Sequence, residues 1–451
     1  MARWPDGLLA CLLLLVAAIA CLIPARRATR VGPVGGAAER LSRERLNGTS
    51  GAGRLAAMTR LLTHTVVIGA MLGAWTYAQQ ANPEQRSRNL EAKELATPFK
   101  GITANGQIES GLFSLKSSGV STEPVRKAAE AFLAALTTEQ RKKTTFPHDS
   151  DEWRSWANQS SYWPRGVSFG EMTGAQRDAA LGMMRASLSA RGLALTENIR
   201  KLNHTLGELQ NNDFTAHNEG RYHLTVMGEP SPSEPWGWQF DGHHGIVNYF
   251  VLGDQVVMTP FFAGSEPVVA TSGKYAGTEI LRDEALKGLA LVNALTDAQR
   301  GKAVLNLSKT GNNILTQAWQ DNVVLDYAGV RGSELSGTQR QLLLDLIEQY
   351  VGNMREGHAA VRMAEVKARI DRTYFAWIGE TDADAVFYYR IHSPVLLIEF
   401  DHQTPVGLRH LYPPGVPFRE HIHAVMRTPN GNDYGKDLLR QHYLQHPHTA
   451  Q

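Results

Sequence analysis

Three short segments carry side chains whose types and spacing suit metal or acid–base chemistry: Asp241-Gly-His-His244, Glu399-Phe-Asp401 and His421-Ile-His423. Residues two apart on a β-strand share a face. Glu399 and Asp401 therefore present paired carboxylates, and His421 and His423 paired imidazoles, while Phe400 and Ile422 turn the other way. The adjacent His243 and His244 point to opposite faces of a regular strand, so one is expected as a ligand and the other as its support. Asn248, four residues further on, shares the face of His244. Imidazole and carboxylate without thiolate form the ligand set of divalent zinc, iron, manganese or copper. In that reading His243, His244, His421 and His423 supply the metal ligands. Glu399 and Asp401 act as further ligands or general base, and Arg427 steadies developing negative charge. Trp236, Trp238 and Asn248, beside the histidine pair, are expected to line a ligand pocket. Plainer readings stand beside these. A lone His-X-His is a common strand pattern, Arg409 and Arg427 are at hand to pair with the two acids, and tryptophans on a strand are more often core.

The elements that must position these residues are legible from local signals. Leu136-Thr-Thr-Glu-Gln-Arg141, Met172-Thr-Gly-Ala-Gln-Arg177, Leu295-Thr-Asp-Ala-Gln-Arg300 and Leu335-Ser-Gly-Thr-Gln-Arg340 share one form. Ser or Thr followed three residues later by Gln is a capping box, so each marks a helix start. Helices are expected at Glu123–Leu136, Gln339–Met354 and Lys436–Gln445. Strands are expected around Gly101–Leu115 and at Tyr222–Met227, Trp236–Phe240, Ile246–Leu252, Gln255–Pro260, Tyr374–Ile378, Val386–Ile391 and Val395–Phe400. Gly253-Asp254 reads as a hairpin turn. Residues 79–96 form a polar stretch.

The caps pair at spacings of 36 and 40 residues, and the segments from Arg221 and Arg372 run parallel at an offset of 151. At that offset Asn248 falls on Glu399 and Phe250 on Asp401. The reading is an internal duplication, helices followed by strands, with repeat one at about 123–262, repeat two at about 282–402 and a C-terminal extension at 403–451. The expected class is α+β with mostly antiparallel strands, a helical layer and sheet in one globular body over 80–451.

The chain has 451 residues, a formal net charge of +2 and 46 basic against 44 acidic side chains, a balance that argues against a nucleic-acid surface. Both cysteines, Cys11 and Cys21, lie in an early apolar segment, so the body has neither disulfide nor thiolate site. A second apolar segment, Leu61 to Ala78, follows Met58-Thr-Arg60 and ends in small residues before Gln79, the pattern of a secretory signal. The preferred reading starts the protein at Met58, with 58–78 a signal peptide and 1–57 an upstream extension. The alternative takes Leu8–Ile23 as signal or membrane anchor. Either way residues 1–79 are a non-globular export region, and the protein is periplasmic or secreted.

His-Glu-X-X-His, the phosphate-binding Gly-X4-Gly-Lys-Ser/Thr and Gly-X-Gly-X-X-Gly are all missing from the sequence. From Trp236-Gly-Trp-Gln-Phe-Asp-Gly-His-His244, through Leu397-Ile-Glu-Phe-Asp401, to His421-Ile-His423 and Asp433-Tyr-Gly-Lys-Asp-Leu-Leu439, the chain resembles the uncharacterised domain of unknown function 3500 over most of residues 100–448. Glu420 stands where that family often has Asn, and Gly245-Ile-Val-Asn248 where it often has Leu-Ser-Leu-Asn. The resemblance implies a motif pattern and no activity. Three functions therefore stand open: a metal-dependent enzyme, hydrolytic in type, acting on a small molecule or polymer; a metal- or small-ligand-binding protein without turnover; and a structural or partner-binding protein.

Overall fold

The computed structural model describes residues 83–446. The signal-like and anchor-like segments and the start at Met58 lie outside the described residues. Among the described residues no helix is long and apolar enough to cross a membrane.

The chain enters on α1 (Pro83–Leu95), inside the stretch read from the sequence only as polar. This helix is held by polar contacts, Glu91 with Arg88 at 2.8 Å and Ser87 with Gln159 at 3.1 Å. The strand expected around Gly101–Leu115 is not formed. Gly101, Gly106 and Gly111 take positive φ there, which breaks an extended run, and one bridge from Thr103 to Val324 is what remains. Next come α2 (Glu123–Ala135), α3 (Thr138–Thr144), β1 (Thr145–Phe146), β2 (Val167–Ser168), α4 (Gly174–Ser187) and α5 (Ala190–Leu209). The strands β3 (Tyr222–Met227), β4 (Trp236–Gly242), β5 (Gly245–Leu252), β6 (Gln255–Val257) and β7 (Phe261–Ser265) follow. A second run follows with α6 (Arg282–Ala294), α7 (Asp297–Ala303), β8 (Val304–Asn306), β9 (Val330–Arg331), α8 (Gly337–Val351) and α9 (Glu356–Lys367). It closes with β10 (Tyr374–Gly379), β11 (Phe387–His392), β12 (Leu397–His402), β13 (Ile422–Arg427) and α10 (Lys436–Gln445).

The class is α+β. One 13-stranded sheet runs in the order β1-β3-β4-β5-β7-β13-β12-β11-β10-β8, with β2, β6 and β9 paired to the side. Only β1–β3 and β8–β10 are parallel. The seam between the first and second runs is β7 against β13, where Ala263 faces Ala424 and Gly264 faces His423. Every residue of β3, β4, β5, β7, β11, β12 and β13 is buried, so both faces of the central sheet are covered. Trp236 and Trp238 belong to that core, with indole N–H groups donating to Ser231 O at 3.1 Å and Ser187 Oγ at 3.1 Å.

All four capping boxes form, at Thr137, Thr173, Thr296 and Ser336. Their glutamines also pair across helices: the Gln176 amide donates to Gln140 Oε1 at 2.7 Å and to Ala135 O at 3.0 Å. Gln339 does the same with Gln299 Oε1 and Ala294 O, both at 2.8 Å. Each amide thus ties the start of one helix to the end of another. Replacing Gln176 by Leu removes both bonds and strands a carbonyl, so a loss of about 1–3 kcal/mol is expected. It should appear as a lower urea midpoint at unchanged slope.

Candidate metal centre

The two-residue loop between β4 and β5 is His243-His244, closed by the Gly242–Gly245 register pair. His244 takes φ +64°, a left-handed conformation that costs a non-glycine residue on the order of 1 kcal/mol. Its backbone is held on both sides, N–H to Asn158 O at 3.3 Å and C=O from Gly264 N–H at 2.8 Å. Gly264 on β7 is the register partner of His423 on β13. A side chain at Gly264 would meet Ile422 O at 2.6 Å and the His423 ring at 3.2 Å, so the absent Cβ gives His423 its place. His421 precedes His423 by two residues and shares its face. Strand register thus sets His244, Gly264 and His423 in one row, with His421 alongside.

The three Nε2 atoms converge. His244 lies 3.1 Å from His423 and 3.4 Å from His421, and His421 lies 3.1 Å from His423. A tetrahedral ion with bonds of about 2.0–2.1 Å holds neighbouring nitrogens about 3.3–3.4 Å apart. The second ring nitrogens fix the tautomers. His421 Nδ1 donates to Thr404 O at 2.8 Å, and His423 Nδ1 donates to Gln317 Oε1 at 3.2 Å. A carbonyl oxygen only accepts, so both Nε2 atoms keep bare lone pairs turned on each other. Two lone pairs at that distance repel unless a cation lies between them. Burial holds His244 and His423 well below the usual imidazole range, with the neighbouring histidines adding to the effect. Burial lowers His421 also, and the nearby Glu266 opposes it.

Glu266 is buried at the end of β7, its carboxylate accepting from the backbone N–H of Val406, Gly407 and Leu408 at 3.0, 2.8 and 2.9 Å. It sits 3.6 Å from His421 Nδ1. Carboxylates behind a ligating imidazole raise its basicity. Glu266→Gln is expected to weaken metal binding about 10–100-fold, measured by competition with a chromogenic chelator. An unchanged affinity would mean that Glu266 serves the 406–408 loop alone.

The group opens on a cavity of about 460 Å³ whose walls include His217, His243, Glu266, Gln317, Gln403 and Arg409. Of the four histidines expected as ligands, three converge and His243 takes the supporting place. Its ring stacks on His244 at 3.9 Å, and its Nδ1 bonds Asn203 Oδ1 at 2.8 Å.

Glu399 and Asp401 share one strand face as expected, with Asp401 opposite His423 in register, but neither they nor Arg427 line the cavity. The loop before Asn322 covers that face. Asp401 accepts from Asn313 N–H at 2.6 Å and Ile314 N–H at 3.0 Å and pairs with Lys309 at 3.0 Å. Burial still pushes its pKa up to about 6. Glu399 accepts from Thr316 N–H at 2.9 Å, Thr316 Oγ1 at 2.5 Å and Tyr388 OH at 2.6 Å. Arg427 donates to Thr316 O at 2.9 Å. These residues grip residues 313–316 and so deliver Gln317 to His423. Asn248 also falls outside the cavity lining. Its side chain donates to Pro260 O at 2.9 Å and accepts from Gln239 at 2.8 Å, because the turn at His244 interrupts the alternation that would have aligned them. Trp236 and Trp238 do not line the cavity either.

Glu266, Gln317, Asn203 and His217 were not singled out from the sequence. They come from a strand end, an irregular loop, a helix and another loop, and no spacing links them.

Residues 118–436 match the family model described as Protein of unknown function (DUF3500). No curated protein and no solved structure matches the chain significantly.

Proposed function

We propose, for a chain that belongs to the DUF3500 family of proteins of unknown function, a divalent-metal site that activates water for hydrolysis. The observation that carries this reading is the convergence of His244, His421 and His423, their Nε2 atoms 3.1–3.4 Å apart at the wall of a polar cavity. Three imidazoles with a free fourth position are the ligand pattern of catalytic rather than structural zinc. A bound ion there would supply Lewis acidity and lower the pKa of a coordinated water to about 7. All-nitrogen ligation favours zinc, with iron or copper next; manganese prefers more oxygen ligands. The residues themselves do the rest: Thr404 and Gln317 hold two rings in the ligating tautomer, and Glu266 stands behind His421. The signal-like segment at 61–78 supports export, to a periplasmic or secreted location.

The test is elemental analysis of the full-length chain, followed by cobalt substitution and assay against activated esters with and without chelator. About one ion per chain, a tetrahedral cobalt spectrum and chelator-sensitive hydrolysis are expected. Failure to take up zinc, manganese, iron or copper would end the metal reading. Stoichiometric metal without turnover of any ester, amide or phosphoester would reduce it to metal binding.

A further inference from the structure

We infer that His217 and His243 form a paired hydrogen-bond acceptor in the cavity wall that selects a small, neutral, polyhydroxylated substrate. This deepens the metal-site reading and rests on it for the chemistry, though not for the binding.

The pair is built by Asn203, a buried residue of α5. Its Nδ2 donates to Asn218 O at 3.1 Å, which fixes the amide so that Oδ1 faces the two imidazoles. That oxygen meets His243 Nδ1 at 2.8 Å and His217 Nδ1 at 3.3 Å. An amide oxygen only accepts, so both Nδ1 atoms carry the proton and both Nε2 atoms are acceptors. Among the described residues neither Nε2 has a protein partner, and both residues line the cavity. The rings lie 5.3 Å apart, centre to centre. A ligand seated between them and the metal group must therefore bring donors.

The rest of the wall narrows the class. Glu266 is engaged by three backbone N–H groups and stands behind His421, so it is not a free counter-charge for a cationic ligand. Lysine is missing from the lining residues, and the one arginine, Arg409, is exposed. Amides and hydroxyls such as Asn158, Gln159, Ser160 and Ser161 make up most of the remainder. An amine would be repelled by a divalent ion and by Arg409. A carboxylate or phosphate brings no donors for two bare acceptors. An apolar ligand would leave both imidazoles unpaired at a cost of about 1–3 kcal/mol each. Hydroxyl groups on a neutral skeleton satisfy acceptors and amides alike, and about 460 Å³ is a volume typical of small-molecule sites.

The test uses three ligands of one carbon skeleton, sorbitol, glucosamine and gluconate, with the full-length chain loaded with zinc and binding followed by ligand-observed NMR. Sorbitol is expected to bind most tightly. His217→Phe and Asn203→Leu should each weaken it about tenfold, one lost hydrogen bond's worth, and His217→Gln, which keeps an acceptor, should weaken it less. Zinc content should stay unchanged in all three variants. Tighter binding of gluconate or glucosamine, or a sorbitol affinity indifferent to His217→Phe, would overturn the inference. If zinc is bound and sorbitol is not, this inference falls and the metal site stands. If zinc is not taken up but sorbitol binding persists and depends on His217, the metal site falls and the acceptor pair stands.

Discussion

His244→Gly is expected to weaken metal binding about a hundredfold while leaving the metal-free fold within about 1 kcal/mol of the parent. The two effects have separate origins. Losing one of three ligands should cost on the order of 3 kcal/mol of ion affinity, about a hundredfold, taking structural zinc's 10–16 kcal/mol as shared among four ligands. Against that, His244 sits at φ +64°, where glycine carries no penalty, and both its backbone bonds remain available to the variant. The strain relieved offsets the lost stacking on His243. His423→Ala should lose metal as completely but also stability, because a buried strand side chain is truncated and a cavity is left. His223, which lines a different cavity with Trp163, provides the control: His223→Gln should keep its ion. The measurement is metal content after gel filtration, with urea unfolding of each protein, metal-free and metal-loaded. Zinc held above the parent's dissociation constant but below about a hundred times that value should raise the midpoint of the parent by mass action and leave that of His244→Gly nearly where it was. A His244→Gly variant that keeps stoichiometric zinc would remove His244 from the ligand set. One that loses several kcal/mol would make the turn a packing device.

The expected behaviour of His244 bears on what the sequence could reveal. Features set by local chemistry were legible: the four capping boxes, the hairpin at Gly253-Asp254, and β4, β5 and β12, each within a residue or two. The His421–His423 pair followed from the two-residue period alone. Asp401 was placed on the correct face, and register puts it opposite His423. What covers that face was not legible. Residues 309–317 have no period, and they lie where they do because Glu399, Asp401 and Arg427 bind their backbone. A carboxylate that saturates on N–H groups looks the same in sequence as one that awaits a metal. The alternation rule put His243 and His244 on opposite faces, and a left-handed turn replaced it with stacked rings on one cavity. β7 was missed because Phe261–Ser265 follows directly on Pro260, and only its pairing with β5 and β13 defines it as the seam. Glu266 went unseen with it. α1 was missed because it buries almost no apolar side chain, so its sequence carries no amphipathic signal.

Arg427→Met is expected to cost about 3–5 kcal/mol of stability, the largest loss of any single substitution considered. The guanidinium is fully buried and donates Nε to Asp433 at 2.8 Å, one terminal nitrogen to Asp321 at 2.6 Å and the other to Thr316 O at 2.9 Å. The two buried acids hold its pKa above the ordinary arginine value despite desolvation. Asp321 retains Arg154 at 2.8 Å and Tyr434 OH at 3.0 Å when Arg427 is removed. Asp433 is left with the Thr428 N–H at 2.7 Å and no cation among its described side-chain partners. A buried carboxylate stripped of its counter-charge is the costly outcome, more than the loss of the bonds themselves. Lysine should not restore it, since one ammonium cannot span the planar set of three acceptors. Double replacement with Asp433→Asn should recover part of the loss, because the uncompensated charge goes with its partner. The same substitution frees Thr316 from one of its anchors, so Gln317 loosens behind His423 and metal affinity is expected to fall as a secondary effect. A catalytic Arg427 makes the opposite forecast. It would lower kcat at unchanged stability and unchanged metal content, and Lys would rescue it in part. Unfolding midpoints of Arg427→Met and Arg427→Lys beside their zinc content separate the two, and a shift below about 1 kcal/mol in both would return Arg427 to the reaction.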